Sequence, residues 1–161
     1  MSSNKISVTD SCYLTDSKHL LMSNIIYYAD DTEDKLDILQ EVAVSMGSKI
    51  DTCATGVELT DALDNPPPVP DIIFVDLCKT KDAYNAVDEI RHSENANVPI
   101  VIISEKSNYK IIQKFKDLGA NLYIQKSKSY LKLRTAISYA LQINWRVERT
   151  SSKNFFYNSW F

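Results

Sequence analysis

At 161 residues, 44% apolar and 24% charged, the chain has the composition of a water-soluble globular protein with one core of ordinary size. Its formal net charge of -3 excludes a general electrostatic attraction for nucleic acid or anionic membrane, so any partner must be recognised locally. Cys12, Cys53 and Cys78 lie far apart with no CxxC or CxxH spacing, which suggests neither a zinc site nor a disulfide framework and fits a reducing cytoplasm.

Residues 1–23 mix Ser, Asn, Thr, Asp and Lys around the pair Leu20 and Leu21, too few core formers to fold alone, and read as an N-terminal arm. They lack the basic start and apolar run of a signal peptide, and no stretch of the chain approaches the roughly 20 apolar residues of a membrane span. The protein is therefore expected in the cytoplasm. Regular structure begins at Asn24: Ile25 to Ala29 form an apolar run that stops at Asp30 and Asp31, as a buried parallel strand would. From Thr32 to Met46, Leu36, Leu39, Val42, Ala43 and Met46 recur at helical spacing, with Thr32 as N-cap and Gly47 closing the segment.

Lys49 to Ala54 then predicts a short strand, Gly56 to Asp64 a helix, and Asn65 to Pro70 a proline-stiffened connection. Asp71 to Leu77 is a buried strand whose apolar run, Ile72 to Val75, leads into Asp76. A helix is expected over Ala83 to Ser93, a fourth buried strand over Pro99 to Ser104, and a helix over Tyr109 to Leu118 ended by Gly119. Asn121 to Gln125 gives a fifth strand ending at Lys126, and Ser129 to Trp145 a final helix. Residues 24–145 thus form one domain, followed by an aromatic tail, 146–161, that serves either as a docking strip or as a cover for the domain's own core.

Strands alternating with helices, each connection long enough to cross over, predict a doubly wound α/β sandwich: a parallel sheet with helices on both faces. The ligand site of such a sheet lies beyond the carboxyl ends of the strands. Every strand but the second delivers a polar group there: Asp30 and Asp31, Asp76, Ser104 and Lys126. Three carboxylates within roughly 4 to 6 Å repel one another by about 4 kcal/mol per close pair at an effective dielectric near 20. A divalent cation relieves this, and an all-oxygen set with few protein ligands suits Mg²⁺, which shares its shell readily with a phosphate. Lys126 and the Ser104 hydroxyl supply the remaining donors for phosphate oxygens.

These segments, Ala29-Asp30-Asp31, Asp71 to Leu77, Val101 to Ser104 and Gly119 to Lys126, resemble the CheY-like receiver domains of response regulators over about residues 24–145, in the family's order and near its spacing. The resemblance implies a flavodoxin-like (βα)5 three-layer sandwich with strand order 2-1-3-4-5. It makes Asp76 the acceptor of a phosphoryl group from a phosphohistidine on a sensor histidine kinase or phosphotransfer protein. Asp30, Asp31 and Asp76 would bind Mg²⁺ with the backbone carbonyl of Cys78, while Ser104 and Lys126 hold the phosphoryl oxygens. Ser104 and Tyr123 would form the switch that changes the surface of the fourth helix, fifth strand and fifth helix for an unidentified downstream protein. By the same analogy the domain is a phospho-acceptor that assists its own phosphorylation and dephosphorylation, not an enzyme in the usual sense. A homodimer is compatible with this.

The chain departs from the family where Cys78-Lys-Thr-Lys-Asp-Ala-Tyr84 replaces a Met-Pro pair and later glycine, where Ser127 replaces the proline after the lysine, and where Glu105 follows Ser104. The alternative these departures favour is a receiver-like protein-binding module that works without phosphorylation. A flavin or nucleotide binder is opposed by the lack of any GxGxxG or GxxxxGK[ST] loop in a chain with only three glycines. About 16 residues follow Trp145, too few for a helix-turn-helix, so no DNA-binding output is expected. The residues Tyr109, Lys110, Lys114, Lys116, Lys128, Tyr130 and Lys132 mark a basic, aromatic helical surface open to a partner or simply solvated.

Overall fold

The computed structural model describes residues 25–29, 36–64, 69–77, 80–146 and 155–158. Asp30, Asp31 and Cys78 of the expected site, and the arm at 1–23, lie outside the described residues. Six strands, β1 (Ile25–Ala29), β2 (Lys49–Cys53), β3 (Ile72–Asp76), β4 (Ile100–Ser104), β5 (Leu122–Gln125) and β6 (Phe156–Asn158), form one parallel sheet in the order β2-β1-β3-β4-β5-β6. Between them run α1 (Leu36–Ser45), α2 (Gly56–Asp64), α3 (Thr80–Arg91), α4 (Tyr109–Asp117) and α5 (Tyr130–Gln142). The expected doubly wound order is present, extended by a sixth strand on the β5 edge.

Alternation along the strands divides the core in two. Ile73, Val75, Ile100, Ile102 and Tyr123 face α2, α3 and α4 through Leu59, Val87, Ile90 and Phe115. Ile26, Ile72, Phe74, Val101, Ile103 and Ile124 face α1 and α5 through Leu39, Val42, Ala136, Ile137 and Leu141. β3 and β4 are buried at all five positions, which is why their sequences are continuous apolar runs without a polar face.

Among the described residues two boundaries differ from expectation by three residues. α3 begins at Thr80, a turn before Ala83, because its first turn is polar: Asp82 turns its carboxylate to the backbone N–H of Gly56, at 2.8 Å, and not to the core. α5 stops at Gln142, short of Trp145, because Ile143 is extended at φ -62°, ψ 131°. The Trp145 indole then donates back to the carbonyl of Ala140 at 3.0 Å and satisfies one of the open carbonyls of the last turn.

The tail supplies β6. Its residues pair in parallel with β5, Tyr123 with Phe156, Ile124 with Tyr157 and Gln125 with Asn158. Phe155, just before the strand, is buried in the α2–α4 side of the core, and Tyr157 packs against the α1–α5 side. Of the two roles open to the tail, covering the domain's own core describes this part of it.

Candidate functional site

β3 and β4 pair Asp76 with Ile103, and β4 and β5 pair Ser104 with Gln125, so the register brings the carboxyl ends of three adjacent strands level. The backbone N–H of Lys126 donates to the Ser104 carbonyl at 2.7 Å, and that of Leu77 to the Ile103 carbonyl at 3.1 Å, which fixes the exits of all three strands. Asp76, Ser104 and Lys126 are thereby gathered from positions far apart in sequence.

Asp76 is only 7% exposed, and its Oδ2 is ion-paired with the Lys126 ammonium. A carboxylate this far from water requires a compensating charge, and Lys126, itself nearly covered, supplies it. Ser104 is 1% exposed, and its Oγ accepts the backbone N–H of Lys106 at 3.0 Å. That bond folds the chain leaving β4 back over the strand end.

Tyr123 lies two residues before Gln125 on the same face of β5 and is fully buried. Its hydroxyl donates to the carbonyl of Lys106 at 2.8 Å. Burial pushes its pKa up; a hydrogen bond with the Ser104 side chain acts in the opposite sense, while Tyr84 and Asp76 add to the rise. The loop carbonyl of Lys106 is therefore a part of the site that side-chain chemistry in the sequence did not single out. Lys106 bonds to Ser104 through its N–H and to the Tyr123 hydroxyl through its carbonyl, so the strand end and Tyr123 form one hydrogen-bonded unit.

The donor set suits a hard cation. At the carboxyl edge Asp76 offers oxygen, β1 pairs Ala29 with Val75, and the chain continues from Ala29 into Asp30 and Asp31. Among the described residues no group of three acidic, His or Cys side chains stands together, and Asp30, Asp31 and Cys78 are not among them.

A family model described as the response regulator receiver domain matches residues 26–138. The chain belongs to this family of two-component signalling proteins, whose CheY-like members are phospho-acceptors and not classical enzymes. Among solved structures it is similar to the phosphorylated cyanobacterial phytochrome response regulator RcpA, at 24% identity and a TM-score of 0.67 over 73% of this chain and 91% of that one. It is also similar to the chemotaxis response regulator CheY4 of Vibrio cholerae, at 17% identity and a TM-score of 0.64 over 73% and 98%. A third is the receiver domain of a Pseudomonas aeruginosa sensor histidine kinase, with a magnesium ion in its active-site cleft, at 20% identity and 0.62 over 75% and 99%. At these identities the structures establish the fold alone. Comparison with curated protein sequences finds no match. Among the described residues no helix is long and apolar enough to cross a membrane.

Proposed function

We propose that Asp76 accepts a phosphoryl group from a phosphohistidine on a sensor kinase or phosphotransfer protein, and that the modified domain signals through a changed protein-binding surface. The observation that carries this reading is the pairing of buried Asp76 with Lys126 beside the buried Ser104 hydroxyl, at the carboxyl edge of the sheet. A cation held against the acceptor carboxylate is placed to follow the charge as it spreads onto phosphoryl oxygens.

In the transfer, a carboxylate oxygen of Asp76 forms a bond to phosphorus as the P–N bond breaks, and the bonding pair stays on the imidazole nitrogen. No base is needed, because the carboxylate is already the nucleophile at neutral pH. Lys126 shifts from a carboxylate oxygen to a phosphoryl oxygen, and Ser104 donates to another. Asp30, Asp31, Asp76 and the Cys78 carbonyl would hold Mg²⁺, which when bound neutralises the clustered carboxylates and phosphoryl oxygens.

Intact-mass spectrometry after incubation with Mg²⁺ and acetyl phosphate or phosphoramidate tests this directly. An Mg²⁺-dependent gain of one phosphoryl mass, absent from Asp76→Ala, is the expected result. If no adduct forms with these donors or with phosphohistidine proteins, the reading fails, and a phosphorylation-independent binding module takes its place. The altered loop beside Asp76, Cys78-Lys-Thr-Lys-Asp-Ala-Tyr84, is the observation that favours that second reading.

A further inference from the structure

β6 is three residues long and lies on the edge of the sheet, so backbone pairing alone gives it little hold. Aromatic seats on both faces supply the rest. The Phe156 ring stands 6.1 Å from that of Tyr123, and Tyr157 stacks on Tyr139 of α5 at 5.2 Å. Phe155 is buried beside them, and its carbonyl accepts the Tyr123 backbone N–H at 2.7 Å.

One of those seats is also part of the Asp76 site. The Tyr123 hydroxyl reaches away from β6 to the Lys106 carbonyl, and the Lys106 N–H holds Ser104 Oγ. Phe156 occupies the side of Tyr123 toward the sheet edge, so a phenol ring that left the loop in that direction would meet it. A docked β6 therefore leaves less room for an outward Tyr123 on that side. A docked β6 and the loop arrangement that tucks Lys106 over Ser104 support each other.

We propose that docking of the C-terminal strand on β5 is linked to occupancy of the Asp76 site through Tyr123. The docked strand holds Tyr123 inward, and the inward phenol holds residues 104–106 in the form that presents the Ser104 hydroxyl to a phosphoryl group. This rests on the phospho-acceptor reading of Asp76. Linkage is reciprocal: a group bound at Asp76 tightens the strand, and loss of the strand weakens binding at Asp76. The tail is thus a cis-acting stabiliser of the occupied form, and a partner that removed it would lower that form's population.

The test uses the full chain, with beryllium fluoride and Mg²⁺ as the phosphoryl mimic, adduct counted by fluorine NMR, and amide exchange followed by mass spectrometry over residues 155–158. Exchange there is expected to slow roughly threefold or more as adduct forms. Phe156→Ala removes a ring that is 40% exposed, so the core stays closed; it is expected to weaken the mimic's affinity by a similar factor. Full adduct with unchanged or faster tail exchange, or unchanged affinity in Phe156→Ala, overturns the linkage and leaves the Asp76 reading standing. Absence of adduct in the unsubstituted protein overturns both.

Discussion

Lys126 reaches Asp76 across an intervening strand: the acid ends β3, the lysine follows β5, and β4 with Ser104 lies between them. Strands two apart are separated by roughly 10 Å, so only a long, flexible cation bridges the gap without distorting the sheet. The pair is consequently both a stabilising contact and the charge arrangement at the candidate acceptor.

Removing one partner leaves the other charged and buried. Lys126→Met is expected to lower stability by about 3 kcal/mol in metal-free buffer, and the double variant Asp76→Asn/Lys126→Met by clearly less. Urea denaturation in EDTA measures both. On the proposed Mg²⁺ site, added Mg²⁺ should recover part of the loss in Lys126→Met and none in the double variant, because only the former retains the Asp76 carboxylate.

Tyr123 separates a polar from a packing contribution. Tyr123→Phe keeps the ring against Phe115 and Phe156 but deletes the bond to the Lys106 carbonyl, for an expected loss of about 1 kcal/mol. Tyr123→Ala empties a fully buried site and should lose about 3 to 5 kcal/mol. Equal losses in the two variants, by chemical denaturation, would show that the hydroxyl and not the ring carries the contact.

The sheet was legible because buried parallel strands read as continuous apolar runs, and the site because Asp76, Ser104 and Lys126 each follow such a run. β6 was not, since Phe156-Tyr-Asn is too short to show a period and its seats, Tyr123 and Tyr139, come from distant parts of the chain. Full burial of Tyr123 was hidden for the same reason: the order 2-1-3-4-5 implied by the resemblance leaves β5 at an edge, and β6 covers that edge. The Lys106 carbonyl carries no side-chain signal at all. Asp30 and Asp31 are assigned by their place after an apolar run and by resemblance, and the Cys78 carbonyl by resemblance alone.

Cys53 gives a pH dependence with a definite sign. Burial first, then the carboxylates of Glu58 and Asp51, push its thiol from 9.0 up to about 11. The folded state therefore keeps its proton where the unfolded chain has lost it, and the stability contribution, intact below pH 9, is lost as pH rises toward 11. The tyrosines with raised pKa values, Tyr27, Tyr84, Tyr123 and Tyr130, begin to act only near their ordinary 10.0, so the onset between pH 9 and 10 belongs to Cys53. Unfolding free energy measured from pH 8 to 10 should fall in the native sequence and stay flatter in Cys53→Ala.

Arg91, in the last turn of α3, ties together the end of the sheet opposite the candidate site. Its Nε donates to the Gly119 carbonyl at 2.8 Å, Nη1 to the carbonyls of Ala96 and Val98 at 3.1 and 2.9 Å, and Nη2 to Asn121 Oδ1 at 2.8 Å. Asn121 Oδ1 also accepts the Ile100 N–H at 2.8 Å, so the guanidinium braces the starts of β4 and β5 through their entry loops. Gly119 passes directly beneath it at φ +92°, where a Cβ would stand 3.2 Å from Nε. Arg91→Ala is expected to lose about 2 to 3 kcal/mol. Arg91→Lys should recover less than half of that, because one ammonium cannot reproduce a planar fork that serves carbonyls on both sides. Since the bracing acts at the amino ends of the strands, formation of the Asp76 adduct at saturating donor should be unchanged in Arg91→Lys, as read by intact mass beside the urea midpoint. A loss of adduct in a folded Arg91→Lys would mean that the two ends of the sheet are coupled.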